Sequence, residues 1–397
     1  MDLAGIPFVA WFQFLTTWDL ISVARVSREL RNLVYDEADP PDGVIAITGR
    51  VPYGRYLQKI FSRVRFTLIY WFGDEDNLRG LNLVALECGS PLGDTEITTL
   101  TNVRYLTLYG PGTEITDEGL RPLQNLTYLD VQDTPAEMAI TDVGLSSLTN
   151  LVSLAINSDC GPFTDHSLSV LTNLTYLKVG LDITDEGLRH LVNLTHLDLE
   201  MINESATITG NCFSSLTRIT TLNIARCSRI SNENLCRLTN LTALDLHETK
   251  GITDEGIASL TKLTHLDLSS TRGITGSFLR GFQHLRTLIL RSETDVRDPA
   301  LWGVKVQTLD LFHNDPITDE GLLSMDLGTL KTVYWRVSLI TGACVTDLRE
   351  RGIGIRWWQD LTRSESFAPP LRPPVGSRPP DWSDTIVGDE DFSLFGH

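Results

Sequence analysis

Apolar positions along the middle of the chain change their period inside each short unit. Between Ile183 and Glu200 they fall at Ile183, Leu188, Leu191, Leu194, Leu197 and Leu199, a helix-like spacing that gives way to the alternation of a strand. Each unit is therefore expected to be a helix followed by a short strand. Thr184 is placed to cap the helix, and Asp185 and Glu186 fall in its first turn, where carboxylates meet the positive end of the helix dipole. Capping explains these acids without catalysis or a metal.

The unit recurs. "ITDEGL" begins at Ile115, Ile183 and Ile317, "ITDEGI" at Ile252 and "ITDVGL" at Ile140, and looser copies begin at Phe163, Ile208, Ile230, Ile274, Val296 and Ile340. Start-to-start spacings run from 20 to 25 residues, inside the range of leucine-rich repeats. One unit cannot bury its leucines alone, so neighbours must stack. The expected fold is α/β: a curved leucine-rich-repeat solenoid with a parallel sheet on the concave side and helices on the convex side. The pattern resembles cysteine-containing leucine-rich repeats over about residues 97–345, with Thr at several places where that class has Cys. Thr134, Cys227, Thr249, Thr271 and Asn314 take the position beyond the strand that hydrogen-bonds the following turn. Earlier stretches at Val64–Trp71, Leu81–Cys88 and Val103–Leu108 read as degenerate strands of the same array.

Residues 3–36 follow a different period and predict three short helices, with Thr17 and Ser27 as caps of the second and third. Here the chain resembles an F-box, the module that joins a substrate receptor to the Skp1 adaptor of a cullin-RING ubiquitin ligase. Leu3, Trp11, Phe12 and Leu15 match its first-helix apolar positions, Asp19 and Leu20 its "DL" pair, Val26 with Ser27 and Arg28 the next stretch, and Leu33 the last leucine. Ala4 and Leu30 stand where proline and tryptophan are common. The resemblance implies a Skp1-like adaptor as partner, bound through Leu3, Trp11, Phe12, Leu15, Asp19, Leu20, Val26 and Leu33. The alternative is a helical cap that seals the first repeat of an interaction scaffold.

On the concave face, residues beside the strand leucines should form columns. The middle column contains Asp130, Lys178, Asp198, Asp245, Asp267, Ile289 and Asp310; Tyr128, Tyr176, His196 and His265 precede it, and Arg291 and Phe312 follow it. A carboxylate stripe with Tyr and His beside it suits a target protein with a basic segment. The alternative is that these acids are solvated filler of the "LDL" pattern. Lys178, Ile289, Arg291 and Phe312 break the repeat, and Ile289 and Phe312 are expected as exposed anchors.

A net charge of −18 disfavours nucleic acid and anionic membrane surfaces as partners. The six cysteines lack metal or disulfide spacing, and no signal-like or membrane-spanning segment is apparent, so a cytoplasmic or nuclear setting is expected. Sequons at Asn125, Asn173, Asn193 and Asn240 are the same repeated "NLT", whereas Asn203 stands apart. No nucleotide loop, metalloprotease or nucleophile-elbow string is present, and His190, His196, His247 and His265 have no marked nucleophile partner. No cofactor and no enzymatic activity are expected. The domain reading is 1–36 F-box-like helices, 37–96 linker and degenerate repeats, 97–362 solenoid with Trp357 and Trp358 in a C-terminal cap, and 363–397 a disordered Pro-rich and acidic tail containing "PLRP".

Overall fold

The computed structural model describes residues 44–48, 65–71, 78, 82–89, 92–109, 113–132, 140–156, 163–180, 183–200, 208–336 and 339–356. The expected F-box-like helices, the capping Trp357 and Trp358 and the tail lie outside these residues, as do Thr134, Cys160 and Asn203. The described residues divide into two compact units between Leu151 and Val152.

In the first unit the strands are β1 (Val44–Thr48), β2 (Arg65–Trp71), β3 (Leu83–Cys88), β4 (Leu92–Gly93), β5 (Tyr105–Tyr109), β6 (Thr113–Glu114) and β7 (Tyr128–Gln132). β1, β2, β3, β5 and β7 pair in that order, all parallel, while β4 and β6 make a small separate pair. The three early stretches expected as strands are β2, β3 and β5; β1 has no counterpart in the leucine pattern. The β2–β3 register slips twice, between Phe66 and Thr67 and between Leu68 and Trp71.

The second unit holds β8 (Ser153–Ile156), β9 (Tyr176–Val179), β10 (His196–Asp198), β11 (Thr221–Asn223), β12 (Ala243–Asp245), β13 (His265–Asp267), β14 (Thr287–Ile289), β15 (Thr308–Phe312), β16 (Thr332–Arg336) and β17 (Gly354–Arg356). Each pairs in parallel with the next. Between strands lie single helical turns such as Asp185–Leu188 and Asp254–Ile257; at Asn211–Ser214 and Leu279–Gly281 the turn is a 3-10 helix. Isolated helices this short do not form in water, so they are held by packing. Ile183, Leu188, Leu191, Leu194, Leu197 and Leu199 are all essentially inaccessible. Each such side chain contributes about 1.5–3 kcal/mol of apolar burial.

Thr184 caps its helix by accepting from the Glu186 N–H at 3.1 Å, and Thr116, Thr141, Thr164 and Thr318 do the same. The aspartate after the cap has a further role that the sequence pattern alone did not reveal. Asp165 accepts the Thr184 N–H at 2.8 Å and its hydroxyl at 2.6 Å; Asp117 takes Thr141, Asp298 takes Thr318 and Asp319 takes Thr341 in the same way. Each carboxylate thus ties its own helix to the cap of the next repeat. A second ladder uses the "NLT" asparagines: Asn125, Asn193 and Asn240 each donate a side-chain amide N–H, at 3.0 Å, to a carbonyl one repeat earlier (Thr101, Thr172 and Thr217). The asparagines of these sequons are therefore structural.

Past each strand from β11 to β15 one residue adopts a left-handed backbone: Arg226 (φ 64°), Glu248 (54°), Ser270 (52°), Ser292 (58°) and His313 (57°). The turn aims its N–H at the next repeat, as Ser270 N–H does at the Arg291 carbonyl (3.0 Å). None is glycine, so each holds a strained conformation. Ser270→Gly is expected to stabilise the protein by up to about 1 kcal/mol, the relieved strain exceeding the added chain entropy. An unchanged or lower urea midpoint would count against this account.

Candidate protein-binding face

The strand register builds the columns. From β9 to β15 the first column is Tyr176, His196, Thr221, Ala243, His265, Thr287 and Thr308, and the second is Lys178, Asp198, Asn223, Asp245, Asp267, Ile289 and Asp310. Both stand on the sheet face turned away from the leucines and helices, because side chains alternate along a strand. Glu200, His247, Arg291 and Phe312 follow on the same face. Tyr128 and Asp130 occupy the corresponding places on β7 in the first unit, where the Tyr128 hydroxyl donates to Asp130 Oδ2 at 3.1 Å.

The acids are not a uniform solvated stripe. Asp198, Asp245, Asp267 and Asp310 each accept, through Oδ1, the backbone N–H two residues on (Glu200, His247, Ser269 and Phe312), at 2.7–3.0 Å. The carboxylate closes the end of the strand, so the recurrent "LDL" aspartate is structural in the first instance. Asp310 is fully buried and Asp198 is 2% exposed, and Asp130 is buried too, which corrects the expectation of an open carboxylate row. Two of these buried charges are compensated within the chain. Lys178 Nζ lies 3.7 Å from Asp198 Oδ2, and Arg291 grips Asp310 Oδ2 with Nε and a terminal nitrogen, both at 2.7 Å. Burial raises the carboxyl pKa of both aspartates, against the lowering effect of these cations.

Ile289, expected as an exposed anchor, is only 4% exposed. It stands in register with Asp310, and the Arg291–Asp310 pair spans the same two strands beside it. Phe312 is half-buried, edge-on to His313 at 4.3 Å between ring centres and under the Arg336 guanidinium at 5.6 Å. Arg336 pairs in register with Phe312, as Tyr334 does with Asp310. The leucine pattern missed both because Val333 and Trp335 fill the leucine places of β16. Counting one repeat on from Asp310 and Phe312 would have reached them.

Asp245 and Asp267 differ from their neighbours. They are half-buried and adjacent in register, and among the described residues no Lys or Arg nitrogen lies within 4 Å of either. Burial first, and then the charge of Asp267, pushes the Asp245 carboxyl up to about 8; burial raises Asp267 also. His196 and His265 flank this zone. Each ring accepts or donates at Nδ1 with the preceding threonine hydroxyl at 2.8 Å, His196 lies 6.2 Å from the Tyr176 ring, and burial lowers the pKa of both imidazoles. Burial thus favours the neutral form of both rings.

Three of the described cysteines, Cys212, Cys227 and Cys344, are held in the thiol form. Burial pushes the Cys227 thiol up to about 12 and Cys344 to about 11, and raises Cys212 further. Cys227 Sγ lies 3.8 Å from the Leu199 carbonyl, while Thr249 and Asn314 serve the equivalent turns at 2.8 and 2.6 Å. Among the described residues no three His, Cys, Asp or Glu are placed to hold a metal ion, and no helix is long and apolar enough to cross a membrane.

Stacked turns, parallel ladder and turn-closing Cys, Thr and Asn define leucine-rich repeats. A family model for Zer-1-like leucine-rich repeats matches residues 210–293, and one for the Leucine Rich repeat matches residues 304–325. No curated protein sequence matches the chain. Among solved structures the chain is similar to an internalin from Listeria monocytogenes, at 16% identity and a TM-score of 0.53 over 91% of this chain and 99% of that one. It is also similar to a leucine-rich-repeat protein from Leptospira interrogans, at 17% identity and a TM-score of 0.53 over 79% and 89%. These likenesses establish the fold.

Proposed function

We propose that the chain is a non-catalytic substrate-recognition subunit of a Skp1–cullin–F-box type ubiquitin ligase. Residues 3–33 dock a Skp1-like adaptor, and the outer sheet face of the repeats holds a target protein while partner subunits perform the chemistry. The observation that carries the reading is the division of labour in the repeats. Leucines, cap threonines and ladder acids are spent on stacking, while Lys178, His196, His265, Arg291 and Phe312 vary on the face left over; Tyr176, expected there as well, is buried. A large surface of mixed aromatic and charged groups on a rigid frame suits protein recognition.

Purified Skp1 is expected to co-purify with the full chain and to be lost on Leu15→Asp with Leu20→Asp, both of which place charge in the adaptor-facing apolar stripe. Equal recovery with and without these changes would leave the second reading. In that reading the same sheet face serves a protein-interaction scaffold with no ligase role, and the N-terminal helices seal the repeats. It is supported by the strand register, which assembles this face from the repeats alone.

A further inference from the structure

The second unit's outer face carries charges of opposite sign at different places along one surface. At β12 and β13, Asp245 and Asp267 face outward side by side; Asn223 on β11, Asp198 and Glu200 at β10, His247 and Ser269 just past their own strands and Arg291 past β14 surround them. The other buried acids of this column already hold a cation of the chain: Asp198 has Lys178 and Asp310 has Arg291. This pair has none within 4 Å among the described residues, and Asp198 and Glu200 add further negative potential at Asp245. Three strands on, exposed Arg336 lies over the Phe312 ring. Among the described residues its guanidinium meets an aromatic face and no carboxylate within 4 Å, so it can still accept an anion.

We propose that this face takes a protein segment of mixed charge, seating one Lys or Arg between Asp245 and Asp267 and bringing an Asp or Glu to Arg336. The inference rests on the reading that the outer sheet face holds the target, and it specifies the chemistry of that target. Strands are about 4.8 Å apart, so β13 and β16 are separated by about 14 Å, which an extended segment covers in about four residues. Burial disfavours the charged form of His196 and His265, while Arg291 and His247 offset part of the negative potential at Asp267. Burial and the neighbouring Asp267 charge raise the Asp245 carboxyl to about 8, and a cation seated beside it favours the ionised form, so binding near neutral pH releases a proton to the solvent.

The test is selection of short random peptides displayed on phage against the full chain. Enriched peptides are expected to pair a basic with an acidic residue about four positions apart. Asp245→Asn with Asp267→Asn should lower their capture by about tenfold or more. Arg336→Glu should remove the preference for the acid alone. Asn keeps the strand-closing acceptor, as Asn223 shows by taking the Ala225 N–H at 2.9 Å, so the double variant should melt no lower than the parent does. Calorimetry of an enriched peptide in two buffers of different ionisation heat should register proton release near neutral pH.

Enriched peptides without the charge pairing, undiminished capture by the double Asn variant, or no enrichment at all would overturn the inference. If capture survives the double variant but is lost on Lys178→Glu with His196→Ala, the face still binds and only the mixed-charge assignment falls. If no face substitution alters capture, the face reading falls with it.

Discussion

Gly321→Ala is expected to lower the free energy of unfolding by about 2–4 kcal/mol, although it adds one methyl group to a helix and would raise intrinsic helix propensity. A Cβ there would sit 2.1 Å from Asp298 Oδ1, 2.7 Å from its Cγ and 2.9 Å from its Cα. The first two belong to a carboxylate already fixed by the Thr318 N–H and hydroxyl, and the third is backbone, so nothing can yield cheaply. Gly119, Gly144, Gly187 and Gly256 meet the preceding repeat's Asp or Asn in the same way. The glycine of "TDEGL" is thus a spacing device that lets successive helices approach. Gly281→Ala, with nothing within 4 Å of the new methyl, is the control and should be neutral. Equal urea midpoints for the two variants would refute the steric account.

Asp245→Asn is expected to stabilise the protein at pH 8 and to do little at pH 4. The folded carboxyl is raised to about 8, against about 3.9 in an unfolded chain. Between those values the folded state binds the extra proton, so stability is fullest below pH 4 and falls as pH rises through 8. Asn removes that decline while retaining the backbone acceptor. Water still reaches the half-buried group, so the gain at pH 8 is about 1–2 kcal/mol and not the full dry-interior value. Two of the ladder acids, Asp185 and Asp254, act in the opposite sense. Burial alone would raise Asp254, but hydrogen bonds from Ser277, Thr275 and Gly276 outweigh it and lower its pKa, so its contribution is lost on acidification. Parallel pH profiles for Asp245→Asn and the parent would show that the face pair has no part in the decline.

The helix-then-strand unit was legible because every leucine that marks it is buried for the same reason in each copy. Cap threonines were legible because a cap is local, within two residues of its acceptor N–H. What stayed hidden depends on residues one repeat away: the Asp165–Thr184 rung, the glycine that meets that aspartate, and the left-handed turns at Glu248 and Ser270, which carry no glycine to signal them. The face acids were placed in the right columns, but their state was not legible. Whether Asp198 or Asp245 holds a counter-ion depends on the residue in register on the neighbouring strand, and Lys178 answers only one of them. Ile289 was misjudged for the same reason, since the Arg291–Asp310 pair on the same two strands was invisible in its own repeat.

The aspartate ladder is interrupted, and the interruptions are regular. Asp165 and Asp185 reach Thr184 and Thr209, Asn232 and Asp254 reach Thr253 and Thr275, and Asp298 and Asp319 reach Thr318 and Thr341. The next place in each series is glycine, at Gly210, Gly276 and Gly342, each 66 residues from the last. The second unit is therefore written in blocks of three repeats, each clasped internally along its helical edge and joined to the next without the clasp. Such a chain lengthens or shortens most easily by whole blocks, and its seams, after Ser214 and Gly281, are bridged differently: Asn234 donates to the Thr209 carbonyl across the first and Arg280 to the Trp302 carbonyl across the second.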